Sequence, residues 1–126
     1  MRTLLYRIIL FGRDINGLKK FYVNHFGCSL VEEIEAEWVV LKAGSIELAL
    51  HKIGKDYRNK TTKPLKSENN IKLVFRIEQD LSEFRQKLLD EGVKMQEVKS
   101  FEGFDSLFCD GEDMEGNIFQ LEQHLH

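Results

Sequence analysis

The chain of 126 residues is 42% hydrophobic and 31% charged, enough apolar material for one packed domain beneath an ordinary polar surface. A net charge of -3 lacks the basic excess of a general nucleic-acid binder, so no nucleic-acid partner is expected. The apolar opening, residues 4–11, is interrupted by Arg7, precedes no small-residue cleavage site and is far too short to cross a bilayer. It reads as a buried strand, with no membrane partner and a cytoplasmic location as the default.

In chain order, the strand over residues 4–11 leads to Asp14 or Asn16, either of which can cap a helix. Ile15, Leu18, Phe21, Tyr22 and Phe26 then recur at helical spacing, and Gly27 supplies a left-handed stop. Three strands are predicted over residues 29–34, 37–42 and 45–51, separated by the turns Glu35-Ala36 and Ala43-Gly44. Residues 52–69 are polar and basic, contain the only proline, Pro64, and show no apolar period, so they read as a connector.

The second half repeats the first. A strand over 71–77 is followed by Asp80 as a helix cap, then Leu81, Phe84, Leu88 and Leu89 on one face, and Gly92 as the stop. Strands follow near 93–99, 105–109 and 117–123. Arg13-Asp14-Ile15 and Gln79-Asp80-Leu81 stand at matching places, as do Leu18 and Phe84. The expected fold is therefore α+β: one domain of two tandem βαβββ modules, 1–51 and 70–126, joined by the 52–69 connector. Each module lays a helix on one face of a four-stranded sheet, and two such sheets curling together would enclose a cleft. Cys28 and Cys109 show no zinc-type spacing and read as two buried free thiols.

On this frame, Arg7-Ile-Ile-Leu-Phe-Gly-Arg-Asp-Ile with Leu18, Phe21-Tyr22 and Phe26-Gly27 resembles the first strand and helix of the vicinal-oxygen-chelate superfamily, the glyoxalase, bleomycin-resistance and dioxygenase proteins. Asp113-Met-Glu-Gly-Asn-Ile-Phe-Gln-Leu-Glu122 resembles the turn and last strand, with Met114 where proline is common. The resemblance implies a divalent metal in the cleft, held by one side chain from the first and one from the last strand of each module. The first-strand positions, commonly histidine, are here Arg7 and Lys72. The last-strand positions, commonly glutamate, are Glu47 and Gln120.

Strand alternation points the same residues inward. If Leu73, Phe75 and Ile77 pack on the helix, Lys72, Val74 and Arg76 face the cleft; likewise Glu47, Ala49 and His51, and Ile118, Gln120 and Glu122. A divalent ion needs oxygen or neutral imidazole ligands. At 4 Å from a cationic head it meets a repulsion of about 8 kcal/mol at an effective dielectric of ~20. Arginine cannot shed its proton to relieve that repulsion. No metal and no cofactor is therefore expected. Arg7 and Lys72 instead take the metal's place, bridged by Glu47 and hydrogen-bonded to Gln120. Two cations against one carboxylate leave the site positive, with Glu122, a ligand carboxylate or water as partner for the second cation.

Three functions fit this reading. The first is a metal-independent, bleomycin-resistance-like module binding a small anionic or carbonyl-bearing molecule through Arg7, Glu47, Lys72, Gln120 and Glu122. The second is a lyase, isomerase or epimerase acting α to a carbonyl, with Glu47 as base and Arg7 or Lys72 stabilising the enolate. The third is an interaction protein whose cleft holds only an internal ion-pair network. The resemblance also implies a homodimer. His51 reads as a rim residue, His25 as surface or partly packed, and His124 and His126 as a frayed end. Trp38, Phe101, Phe104 and Phe108 serve equally as cleft wall or core, Glu32 to Glu37 reads as a solvated hairpin, and Asp110-Gly-Glu-Asp113 only superficially resembles a calcium loop.

Overall fold

A computed structural model describes residues 4–54 and 71–125, which fall into two compact units, one on either side of the gap. The predicted connector lies, from residue 55 onward, outside the described residues, as does His126.

In the first unit, β1 (Arg7–Gly12) leads to α1 (Ile15–Phe26), then to β2 (Ser29–Ile34), β3 (Trp38–Ala43) and β4 (Ile46–Lys52). The strand order is β1-β4-β3-β2, with β1 parallel to β4 and the other pairs antiparallel. Asp14 is the cap of α1, its Oδ1 accepting from the backbone N–H of Gly17 at 2.9 Å. Gly27 ends the helix at φ 68°, a conformation that a side chain would oppose. Ile15, Leu18, Phe21 and Tyr22 bury the helix stripe against Val39, Leu41, Leu48 and Leu50.

The second unit repeats this connectivity. β5 (Leu73–Ile77) precedes α2 (Leu81–Asp90), followed by β6 (Lys94–Met95), β7 (Lys99–Ser100), β8 (Ser106–Glu112) and β9 (Ile118–His124). The sheet order is β5-β9-β8-β6, β7 also pairs with β8, and β5 runs parallel to β9. The single strand predicted near 93–99 is thus two short pieces along β8. Asp80 caps α2, accepting from Glu83 N–H at 3.0 Å, and Leu81, Phe84 and Leu88 pack over Leu73, Ile77, Phe119 and Leu121. The duplicated helix-on-sheet layout expected from the sequence is present in both units.

Two local features shape the last hairpin. Asp113 is buried and accepts from the backbone N–H groups of Glu115 and Asn117, at 2.9 and 3.0 Å, and from the Asn117 amide at 2.8 Å. These three bonds lock the turn between β8 and β9. The other feature is Gly111. A Cβ there would lie 2.5 Å from Met95 Sδ and 2.6 Å from the Phe119 ring, so only glycine lets β8 continue past this point.

Both thiols are buried, and burial pushes each above the usual cysteine range. Cys109 also donates to the Gln96 carbonyl at 3.1 Å. A thiol pKa raised by folding favours the protonated native state, so its contribution is complete below the unfolded value, about 8.5, and is lost as pH rises through the folded value. We expect slow labelling by a thiol reagent at neutral pH, and stability that declines above about pH 8.5; that decline should vanish in a Cys28→Ala, Cys109→Ala chain. Gly111→Ala is expected to cost about 1–3 kcal/mol in chemical denaturation, the usual penalty of overpacking.

Candidate functional site

The face of each sheet opposite its helix, part exposed and part buried, gathers the residues singled out above. In the first unit the parallel register sets Arg7 directly beside Glu47, Ile9 beside Ala49 and Phe11 beside His51. The antiparallel β3 adds Trp38 beside His51 and Val40 beside Ala49. Side chains paired in register share a face, so Arg7 and Glu47 meet by construction.

Arg7 donates from both Nε and Nη2 to one oxygen, Glu47 Oε1, at 3.0 and 2.8 Å. Its guanidinium lies 5.3 Å from the Tyr6 ring centre and 5.6 Å from that of Trp38, within cation–π range of both. The hydrogen bond to Glu47 outweighs desolvation and pushes the Arg7 pKa still higher, so the group is a permanent cation. Both side chains are about a quarter exposed, at 26% and 22%, and so remain accessible to a small molecule.

Trp38 is half-buried, donates from Nε1 to Glu32 at 3.1 Å and meets the His51 ring edge-on at 5.5 Å. His51 in turn contacts Phe11 at 5.4 Å, and its Nδ1 lies 2.7 Å from the Lys52 carbonyl. It is exposed, as a rim residue should be.

In the second unit Lys72 stands just before β5, and its partner is neither Glu122 nor Gln120. Its Nζ bonds Asp110 Oδ2 at 2.7 Å, while Gln120 Nε2 donates to the other oxygen, Oδ1, at 3.0 Å. Asp110 is therefore the hub, and Gln120 reaches Lys72 only through it. The strand expected near 105–109 ends short of Asp110, whereas β8 continues to Glu112 and carries Asp110 within it. The only clue was that glycine inside a strand can mark close packing. With Asp110 counted, the positive surplus expected at Lys72 is cancelled. Glu122 accepts from Ser106 Oγ at 2.8 Å and lies 3.4 Å from the exposed Arg76. A cavity of about 90 Å³ touches Lys72, Asp110 and Gln120 and is walled by Phe101, Phe108 and Lys99. It has room for roughly three water molecules. Phe101 and Phe104 are exposed, so neither is core, and both rings pack on Phe108.

Among the described residues, His25 and His124 stand away from these groups. His25 packs edge-on against Phe21 at 4.8 Å, and His124 lies 3.4 Å from Ser106 Oγ. Among the described residues no three His, Cys, Asp or Glu side chains are grouped to hold an ion. The donors at the four positions fit a metal poorly. Arg7 and Lys72 offer only N–H donors, and Glu47 has one oxygen engaged twice by Arg7. In the same set no helix is long and apolar enough to cross a membrane.

Asp110→Ala removes the acceptor of the Gln120 amide. The Nε2 proton resonances are then expected to move upfield and exchange faster in nuclear magnetic resonance spectra, whereas Lys72→Met should leave them nearly in place.

No protein-family model and no curated protein matches the sequence. Solved structures do match. The fosfomycin resistance protein FosX from Listeria monocytogenes, complexed with Mn(II) and sulfate, superposes with a TM-score of 0.79 at 15% identity, covering 98% of this chain and 92% of that one. Lactoylglutathione lyase from Agrobacterium tumefaciens gives 0.70 at 16% identity, over 97% and 94%. An integron cassette protein from the mobile metagenome of V. cholerae gives 0.70 at 20% identity, over 98% and 96%. Two βαβββ units of matching topology, aligned over nearly the full length of such structures, establish that this chain has the vicinal-oxygen-chelate fold, that of the glyoxalases and fosfomycin-resistance proteins.

Proposed function

We propose that this protein is a glyoxalase/bleomycin-resistance-like binder of small carbonyl-bearing molecules that works without a metal. The observation that carries the reading is the Arg7–Glu47 pair. At the two positions where the resemblance implies a metal-binding histidine and glutamate, the chain places a permanent cation bonded to its own carboxylate. An ion entering there would lose the Glu47 oxygen to Arg7 or face the guanidinium charge. The Lys72–Asp110–Gln120 chain supports the same view in the second unit, because the ammonium already has its counter-ion. Both pairs are neutral, which favours a carbonyl over a full anion as the bound group.

The residues of this reading are Arg7 and Glu47 in the first unit and Lys72, Asp110, Gln120 and Glu122 in the second. A homodimer in the cytoplasm completes it. The edge strand β2, with Leu30, Val31 and Ile34 all exposed, is a surface that pairing would cover.

The test is elemental analysis of untagged protein together with thermal unfolding in chelator and in excess manganese, nickel or zinc. Substoichiometric metal and an unchanged melting temperature are expected. A divalent ion at one per chain, or a metal-dependent rise that Glu47→Gln removes, would reject the proposal.

A further inference from the structure

The face carrying Arg7 has a second property, independent of charge, which names the class of ligand. Beside the ion pair runs a continuous aromatic strip: Tyr6 and Trp38 flank the guanidinium, Trp38 meets His51, and His51 meets Phe11. Tyr6 is 59% and Phe11 54% exposed, so large ring surfaces stand open beside half-satisfied polar groups. Between them, Val40 and Ala49 close the sheet beneath as a buried apolar floor.

The polar pair is only partly used. A guanidinium has five N–H groups, and Arg7 spends two of them on Glu47 Oε1. Its Nη1 end and Glu47 Oε2 have no partner among the described residues. One rung of the sheet thus offers open donors and an open acceptor, with no net charge. A carboxylate ligand would compete with Glu47 for the guanidinium and face its charge. A neutral carbonyl accepts from Arg7 without that cost, and an N–H on the same ring can donate to Oε2. Flat rings suit the strip, since aromatic faces pair in stacked or edge-on contact.

Resting on the metal-free reading above, we propose that this face binds an uncharged planar ring compound carrying a carbonyl and an N–H, a heteroaromatic lactam or amide, stacked along Trp38 and anchored on Arg7 and Glu47. Trp38 is the sole tryptophan, so its indole N–H resonance in a proton–nitrogen correlation spectrum reports on this face alone. The probes are 2-quinolinone, its charged relative quinoline-2-carboxylate, and the saturated lactam 2-piperidinone.

Saturable movement of the Trp38 resonance by 2-quinolinone is expected. Affinity should be at least about tenfold lower for the other two probes, a difference near 1.4 kcal/mol. Arg7→Met, with unchanged circular dichroism, should abolish the response, and Phe11→Ala should weaken it. Equal response to the saturated lactam, tighter binding of the carboxylate, no saturable shift with 2-quinolinone, or an unaffected Arg7→Met chain would each overturn the proposal. The two readings fail separately. Stabilisation by acyclic carbonyl compounds, without response to 2-quinolinone, removes the ligand class and leaves the metal-free binder. A stoichiometric metal removes the binder itself.

Discussion

Parallel pairing of β1 with β4 sets residue 7 beside residue 47, and most of what distinguishes this protein follows from that register. Because the strands run in the same direction after a helical crossover, the first residue of one faces the second residue of the other across the sheet. Each alternate side chain then shares a face with its neighbour. The resemblance drawn from the sequence implies two metal ligands at these paired positions. Here the register brings together a guanidinium and a carboxylate, and the oxygen that could have served an ion is taken up by Arg7.

The second unit reaches a similar neutrality by a different route. Lys72 lies outside its strand and Gln120 stands opposite Val74, so the first-strand and last-strand residues do not meet directly. Asp110 on β8 lies beside Gln120 and supplies the missing carboxylate to both. That solution depends on packing on the opposite side of the sheet. A side chain at residue 111 would press on Met95 and Phe119, so something beside Asp110 would have to shift.

The two units also differ in what surrounds the polar groups. On the first sheet the rings of Tyr6, Trp38, His51 and Phe11 form an open strip. On the second, Phe101 and Phe108 wall a cavity of about 90 Å³, too small for a ring compound without rearrangement. A duplicated scaffold therefore carries two unlike surfaces, and the larger recognition surface belongs to the first.

Local chemistry was legible from residue types alone. Asp14 and Asp80 cap helices because a short carboxylate reaches free amides one turn away, and Gly27 ends one because its conformation excludes a Cβ. The duplication, the alternation of β4 and the cationic character of positions 7 and 72 were likewise readable, since periodicity and side-chain charge are properties of the sequence itself. The partners of those charges were not. Glu47 was the expected bridge between the two cations, with Glu122, a ligand carboxylate or water left open as partner for the second, yet Asp110 holds Lys72, and the half-buried or exposed state of Trp38, Phe101, Phe104 and Phe108 could not be told from their identity. Which carboxylate meets which cation depends on strand register and on where β8 ends, and both are decided by packing between residues far apart in the chain. Sequence alone determined the repeat and the charges; tertiary structure chose their partners, because a hydrogen bond of 3 Å requires a register that no single segment specifies.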